Sequence, residues 1–242
     1  MGNRIAMFLL GATLALGFAW SAYIISNAAV KVTQKDTIRV KGSASRALTS
    51  DFAIWSGQVI VKAKTLDAAY LQLAAHRKKA ETFIQKAGFK PQEIRFDSIS
   101  IQENYKLDEK GRRTNELLDY QLFQNVEVSS PRVYEIEKLS RAFTELVKEG
   151  VVVRAYSPVF LVQKLDEYKM ELLAEATRNG RERAEILARN CGGTVGRLLS
   201  ASQGIFQVIA PGSSDISDMG TYDKTTIQKE LKAVVTLEFR VE

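Results

Sequence analysis

The 242 residues carry 34 Lys and Arg against 28 Asp and Glu, a net charge of +6, with one cysteine and one histidine. One cysteine excludes an intrachain disulfide, and one Cys with one His falls short of a structural zinc set. The basic excess is mixed with acids, as in "RNGRERAEILAR", which makes a solvated surface rather than a stripe that tracks phosphates, so no nucleic-acid partner is expected.

The chain opens "MGNRIAMFLLGATLALGFAWSAYIISNAAV", with no charged residue between Arg4 and Lys31. As a helix, Ile5 to Ile25 would span about 31 Å, close to the ~30 Å apolar core of a bilayer. Trp20 and Tyr23 stand at its outer end, where aromatic rings favour the interface. Gly11, Ala15 and Ala19 form a small-residue ridge of the kind that lets membrane helices pack. Residues 1–30 therefore read as a membrane anchor. The alternative is a signal sequence cut after Ala28, since Ser26 and Ala28 fit the small-residue rule. Both readings export the remainder of the chain, a polar tether over 31–36 and a folded region over 37–242.

"TIRVKGSAS" begins that region as a strand. "DFAIWSGQVIVKAKT" alternates with period two, placing Phe52 and Ile54 on one face and Trp55, Val59 and Val61 on the other. Thr65 can cap the next helix, whose apolar positions Leu66, Ala69, Tyr70, Leu73, Ala80, Phe83, Ile84 and Ala87 recur at helical spacing up to a stop at Gly88. "EIRFDSISIQ" and "LLDYQLFQNVEVS" flank a charged loop and read as a long hairpin. Ser130 is expected to cap a helix with Pro131 at its first position and Gly150 at its end. "VVVRAYSPVFLVQ" is a strand bent at Pro158. The longest helix runs from Asp166 to Asn190, with a seam expected along Met170, Leu173, Thr177, Gly180, Ala184, Leu187 and Cys191. Gly180 costs that helix about 1 kcal/mol relative to Ala, and close packing is the natural compensation. "TVGRLLSASQGIFQVIA" is a strand bending at Gly196 and Gly204, and "TIQKELKAVVTLEFRVE" closes the chain as another.

Chemistry is sparse. His76 sits mid-helix beside the apolar stripe, and spacing gives it no partner for acid–base work. Cys191 lies at a helix C-terminus, the end that disfavours a thiolate, and is expected to be a buried thiol. "GGTVG" follows a helix and precedes a strand, the reverse of a phosphate loop. No catalytic, cofactor-binding or metal-binding residue is assigned, and the chain reads as non-enzymatic.

"IRVKGSASR" leading into "SDFAIWSGQVIVKA", the helix end "KAGF", "LLAEATRNGRERAEILARNCGGTVGRLLSAS" and the final "AVVTLEFRVE" together resemble the SIMPL-domain family of exported bacterial envelope proteins. Ser50–Asp51 stands where that family usually has Pro-Asp, and Gly180 where it tends to have alanine. The order of elements reads as an α+β fold, SIMPL-like, with two repeated β-α-β-β units, long antiparallel strands and helices packed on the sheets, preceded by one transmembrane helix. The resemblance implies a domain in the periplasm, held at the inner membrane or soluble after cleavage, with no established catalytic residues. Some members are linked to oxidative stress and some assemble into hollow rings.

A homo-oligomer is accordingly expected. The loop over 105–116 carries Lys110, Arg112 and Arg113, and the loop over 211–225 carries Asp215, Asp218 and Asp223. Loops of opposite sign can meet head-to-tail between copies; the other reading is two solvated loops. A ligand- or protein-binding module of the periplasm and a thiol-dependent redox protein using Cys191 are the alternative functions.

Overall fold

The computed structural model describes residue 11 and residues 13–26, 36–213 and 217–242. Residues 13–26 form α1. Among the described residues no helix is long and apolar enough to cross a membrane. The span expected from Ile5 lies in part outside the described residues. So does the tether up to Lys35.

The rest is α+β, in the order β1 (Thr37–Thr49), β2 (Phe52–Ala63), α2 (Leu66–Lys86), β3 (Ile94–Leu107), β4 (Arg113–Ser130), α3 (Val133–Ala142), β5 (Val152–Ala155), β6 (Val159–Leu161), α4 (Leu165–Asn190), β7 (Val195–Gln203), β8 (Gln207–Ile209) and β9 (Gln228–Val241). One sheet runs β3-β4-β2-β5, with β6 also on β2; the other runs β1-β9-β7, with β8 also on β9. The chain divides into two compact units, one built from the described residues up to Ala44 with Leu173–Gly204 and Val234–Glu242, the other from Ser45–Leu172 and Ile205–Ala233.

In the larger unit the alternation of β2 decides which face is buried. Ala53, Trp55, Val59 and Val61 are sealed against α2 and α3, while Ile54, Ser56, Gln58 and Ile60 on the other face stay partly exposed. Trp55 meets Phe143 edge-to-face at 4.8 Å, and its indole N–H donates to the Tyr156 carbonyl at 2.9 Å, so its polar end is satisfied within the core. Gly57 makes room for this pair, since a Cβ there would sit 2.7 Å from the Trp55 ring and 2.8 Å from Phe143. Thr65 caps α2 as expected, its hydroxyl accepting from the Ala68 N–H at 3.3 Å. Gly88 follows the helix at φ +95°, and β3 and β4 form the expected hairpin.

Two local expectations are corrected. β4 runs through Ser130, so α3 begins only at Val133 and Pro131 lies outside it. The Ser130 hydroxyl is drawn away from capping because it donates to Glu93 at 2.6 Å. The apolar stripe is otherwise as read: Val133, Ile136, Leu139, Phe143 and Leu146 are buried, although the backbone tightens to a 3-10 helix over Phe143–Glu149.

The second β-α-β-β repeat does not close on itself. Its first strand splits at Pro158 into β5 and β6, which both pair with β2, while β1 joins β9 in the sheet of β7. Segments of 4 and 3 residues cannot serve the backbone of a 14-residue β9, whereas the 13-residue β1 can.

In the smaller unit α4 buries Ala176, Gly180, Ala184 and Ala188, a ridge at strict four-residue spacing. The expected seam is thus corrected: Met170, Thr177, Leu187 and Cys191 are exposed, and only Gly180 and Ala184 are shared with it. The partner is the chain's own sheet. A Cβ on Gly42 of β1 would stand 2.1 Å from the Ala176 carbonyl oxygen and 2.5 Å from the Gly180 nitrogen, so two glycines bring helix and strand backbones into contact. The Asn179 side chain accepts from the Ser43 N–H at 3.1 Å and Arg183 donates to the Lys41 carbonyl at 3.2 Å, fastening the same crossing.

Candidate functional site

The basic hairpin loop expected to bind a neighbour is tied to itself. Asp108 accepts from the N–H groups of Lys110 and Arg112 and from the Arg112 guanidinium, each at 2.9 Å. Those N–H donors hold its carboxyl below the ordinary value against the opposing effect of desolvation. Lys106 pairs with Glu116, and the Arg113 guanidinium lies 3.9 Å from the Tyr105 ring centroid.

The acidic loop is divided. Asp218 is exposed, and Asp215 lies outside the described residues. Asp223 is engaged within the chain. Lys229, fully buried, reaches 3.4 Å from its carboxylate and donates to the carbonyls of Asp223 and Thr226 at 2.6 and 2.7 Å. Burial pushes the Asp223 carboxyl up, but the hydroxyls of Thr226 and Thr225, the Thr225 N–H and the Lys229 ammonium outweigh it and hold the group well below the carboxylate range. Burial likewise lowers Lys229, with Asp223 resisting. This pair anchors the loop to the start of β9.

Cys191 is exposed, which corrects the buried thiol expected. The four-residue ridge of α4 ends at Ala188, and the next position on it falls beyond the helix, so Cys191 is left outside the contact. His76 is partly buried; burial lowers its pKa, with Lys79 adding to the effect, and its Nδ1 has no hydrogen-bond partner among the described residues. Glu93 receives Ser130, Arg132 and the Lys90 N–H, while Arg132 also donates to the Gly88 carbonyl at 3.0 Å. That cluster joins the end of α2 to the end of β4.

A groove of about 860 Å³ lies open between α2 and α3. Thr82, Phe83, Leu139 and Ala142 line it, with Lys78, Lys79, Lys86 and Lys138 around it and Glu135 and Glu149 also at its wall. The four-residue spacing of Lys78, Thr82 and Lys86 puts them on one face of α2. Lys79 is committed, donating to the Glu149 carbonyl at 2.8 Å, whereas Lys78, Lys86 and Lys138 have no ion-pair partner among the described residues. The sequence reading missed this site. Its signal was the lysine stripe on α2, but a charged helix face is ordinarily just solvated.

Among the described residues no group of three or more His, Cys, Asp or Glu side chains is placed to hold a metal ion. A family model described as "SIMPL: Protein of unknown function (DUF541)" matches residues 38–239. No curated protein matches the chain. Among solved structures, one titled as a putative amidohydrolase/peptidase from Burkholderia cenocepacia is 15% identical, with a TM-score of 0.23, over 54% of this chain and 33% of that one. The chain thus spans about a third of that protein's length, and a likeness of this size bears on neither fold nor activity.

Proposed function

Since the chain belongs to the SIMPL family, whose description names no activity, we propose its function from its surfaces: a non-enzymatic, homo-oligomeric protein of the bacterial envelope, tethered through its N-terminal segment. The observation that carries this reading is β7. It ends its sheet, paired with β9 on one side, and every residue from Arg197 to Gln203 is exposed. Leu198 and Leu199 are 49% and 43% exposed, and Arg197 is the strand's single charge.

Edge strands are ordinarily blunted by charge, proline or cover. The opposite edge of this sheet, β1, carries Arg39, Lys41 and Arg46; β7 has bulges beside Leu198 but no proline. A strand from a second copy would satisfy its free backbone groups and cover both leucines. Where that strand is one other than β7 the contact is heterologous and closes into a ring when the rotation fits, whereas β7 on β7 gives a two-fold dimer.

The test is the mass of the full chain in mild detergent, by sedimentation, for the native protein and for Leu198→Lys with Leu199→Lys. An oligomer that falls to monomer in the double variant, with its circular dichroism unchanged, supports the reading. A native monomer at micromolar concentration overturns it. An oligomer that survives the double substitution removes β7 from the contact.

The exposure of Cys191 favours a second reading, a thiol-dependent protein. Rapid labelling of the native thiol, together with loss of a redox phenotype in Cys191→Ser protein of normal fold, is its signature.

A further inference from the structure

We infer that the lysine-rimmed groove between α2 and α3 receives the tip of the acidic loop, Ser217–Gly220, from a second copy of the chain. The inference rests on the homo-oligomer reading and deepens it by naming a contact distinct from β7.

Two unsatisfied surfaces of the larger unit carry it. The first is the groove, with partly exposed Phe83 and Ala142 over the buried Leu139, beside the ammonium groups of Lys78, Lys86 and Lys138. The second is the loop tip. Met219 is 91% exposed, the most exposed of the large hydrophobic side chains among the described residues, and the exposed Asp218 precedes it. An apolar side chain held that far into water gains by burial against an apolar floor, at about 25 cal/mol per Å² covered. Methionine is suited to an irregular slot, being unbranched and polarisable.

The loop is held out in this form. The Ser217 hydroxyl accepts from the Met219 N–H at 3.2 Å, the Ser217 carbonyl accepts from the Gly220 N–H at 3.0 Å, and Gly220 adopts φ +88°. At its base Gln207 grips the loop, donating to the Ser217 carbonyl and accepting from the Thr221 N–H, both at 2.7 Å. A tip shaped before contact loses less entropy on docking.

Charge selects the pairing. Of the basic groups on the hairpin loop, Arg112 and Lys106 are ion-paired and Arg113 is stacked on Tyr105, which leaves Lys110 alone there without an ion pair among the described residues, against three such lysines at the groove. Asp223 is fixed to Lys229, which leaves Asp218 as the described carboxylate at the tip available to meet them. Because groove and tip are different surfaces, the contact is head-to-tail, the type that propagates to a closed ring or an open fibre.

The experiment is site-directed cross-linking of the full chain in mild detergent, in a Cys191→Ser background. Protein carrying Met219→Cys is mixed with protein carrying Thr82→Cys under mild oxidation, beside a control pair of Met219→Cys and Lys110→Cys. A covalent dimer from the groove pair and not from the control supports the docking. In parallel, Lys78→Glu, Lys86→Glu and Lys138→Glu together should weaken association on the order of tenfold at low salt, and Asp218→Lys should restore part of it. Absence of the groove-pair dimer in a preparation that sediments as an oligomer overturns this docking while leaving the oligomer reading intact. A monomer by sedimentation overturns both. A small amphiphile or another protein retained in the groove by native mass spectrometry, with no cross-link, also overturns it.

Discussion

Replacing Gly42 with alanine tests the account of the smaller unit most directly. The added Cβ would meet backbone on every side: the Ala176 oxygen at 2.1 Å, the Gly180 nitrogen at 2.5 Å and the Gly180 Cα at 2.7 Å. No side-chain rotation relieves such contacts, so β1 and α4 must part by about 1 Å, which forfeits a quarter to a half of each dispersion contact across the interface. Overpacking of a tight site costs about 1–3 kcal/mol and more where backbone must move. Gly42→Ala is therefore expected to cost about 4 kcal/mol. For a domain near 200 residues that lowers Tm by about 10 °C. Gly180→Ala is the control across the same contact. Its Cβ would press the Leu237 methyl at 2.7 Å, the movable end of a side chain, and Gly42 only at 3.3 Å. The ~1 kcal/mol gain in helix propensity offsets much of that strain, leaving a net cost of about 0–2 kcal/mol. Thermal unfolding of the full chain in mild detergent, followed by circular dichroism, compares the two variants. If Gly42→Ala melts within about 2 °C of the native protein, or above Gly180→Ala, the backbone-contact reasoning is wrong.

Cys191→Ser should change stability by no more than about 0.5 kcal/mol, as a surface substitution, and the native thiol should label within seconds to minutes; a thiol that labels only on unfolding would contradict its exposed position. Lys229→Ala should cost about 3 kcal/mol by leaving Asp223 and two carbonyls without their cation, and denaturant midpoints measure it. The depressed Asp223 carboxyl contributes stability in full above the unfolded value near 4, and that contribution should drain away as pH falls below it; Asp223→Asn should flatten this acid limb, and an unchanged limb would refute the assignment. Lys229, lowered by burial, acts at the alkaline end, where stability should rise as pH climbs from its folded value toward that of free lysine. N-terminal sequencing of the native membrane fraction should find the segment from Ile5 to Ile25 still attached, and a mature chain starting at Ala29 would sink the tether.

Local pattern was enough for much of the fold. The alternation of Trp55, Val59 and Val61, the Thr65 cap, the stop at Gly88, the β3–β4 hairpin and the break at Pro158 could all be read along the chain, because each depends on a few neighbouring residues and on backbone sterics. Of the site residues, the sequence showed a lysine stripe and two charged loops but not which charges were already engaged. Asp223 and Arg112 look as free as Asp218 in the sequence; only folding brings Lys229 to one and Asp108 to the other. The buried face of α4 was undecidable for a similar reason. Small and apolar residues recur at helical spacing on more than one of its faces, and burial goes to the face that meets Gly42, a residue at the far end of the folded chain. Which sheet takes β1, where the thiol ends up and whether two helices leave a groove are set by pairings between distant segments. Those pairings answer to strand length, backbone donors and the shape of the opposing surface, none of which a local period encodes.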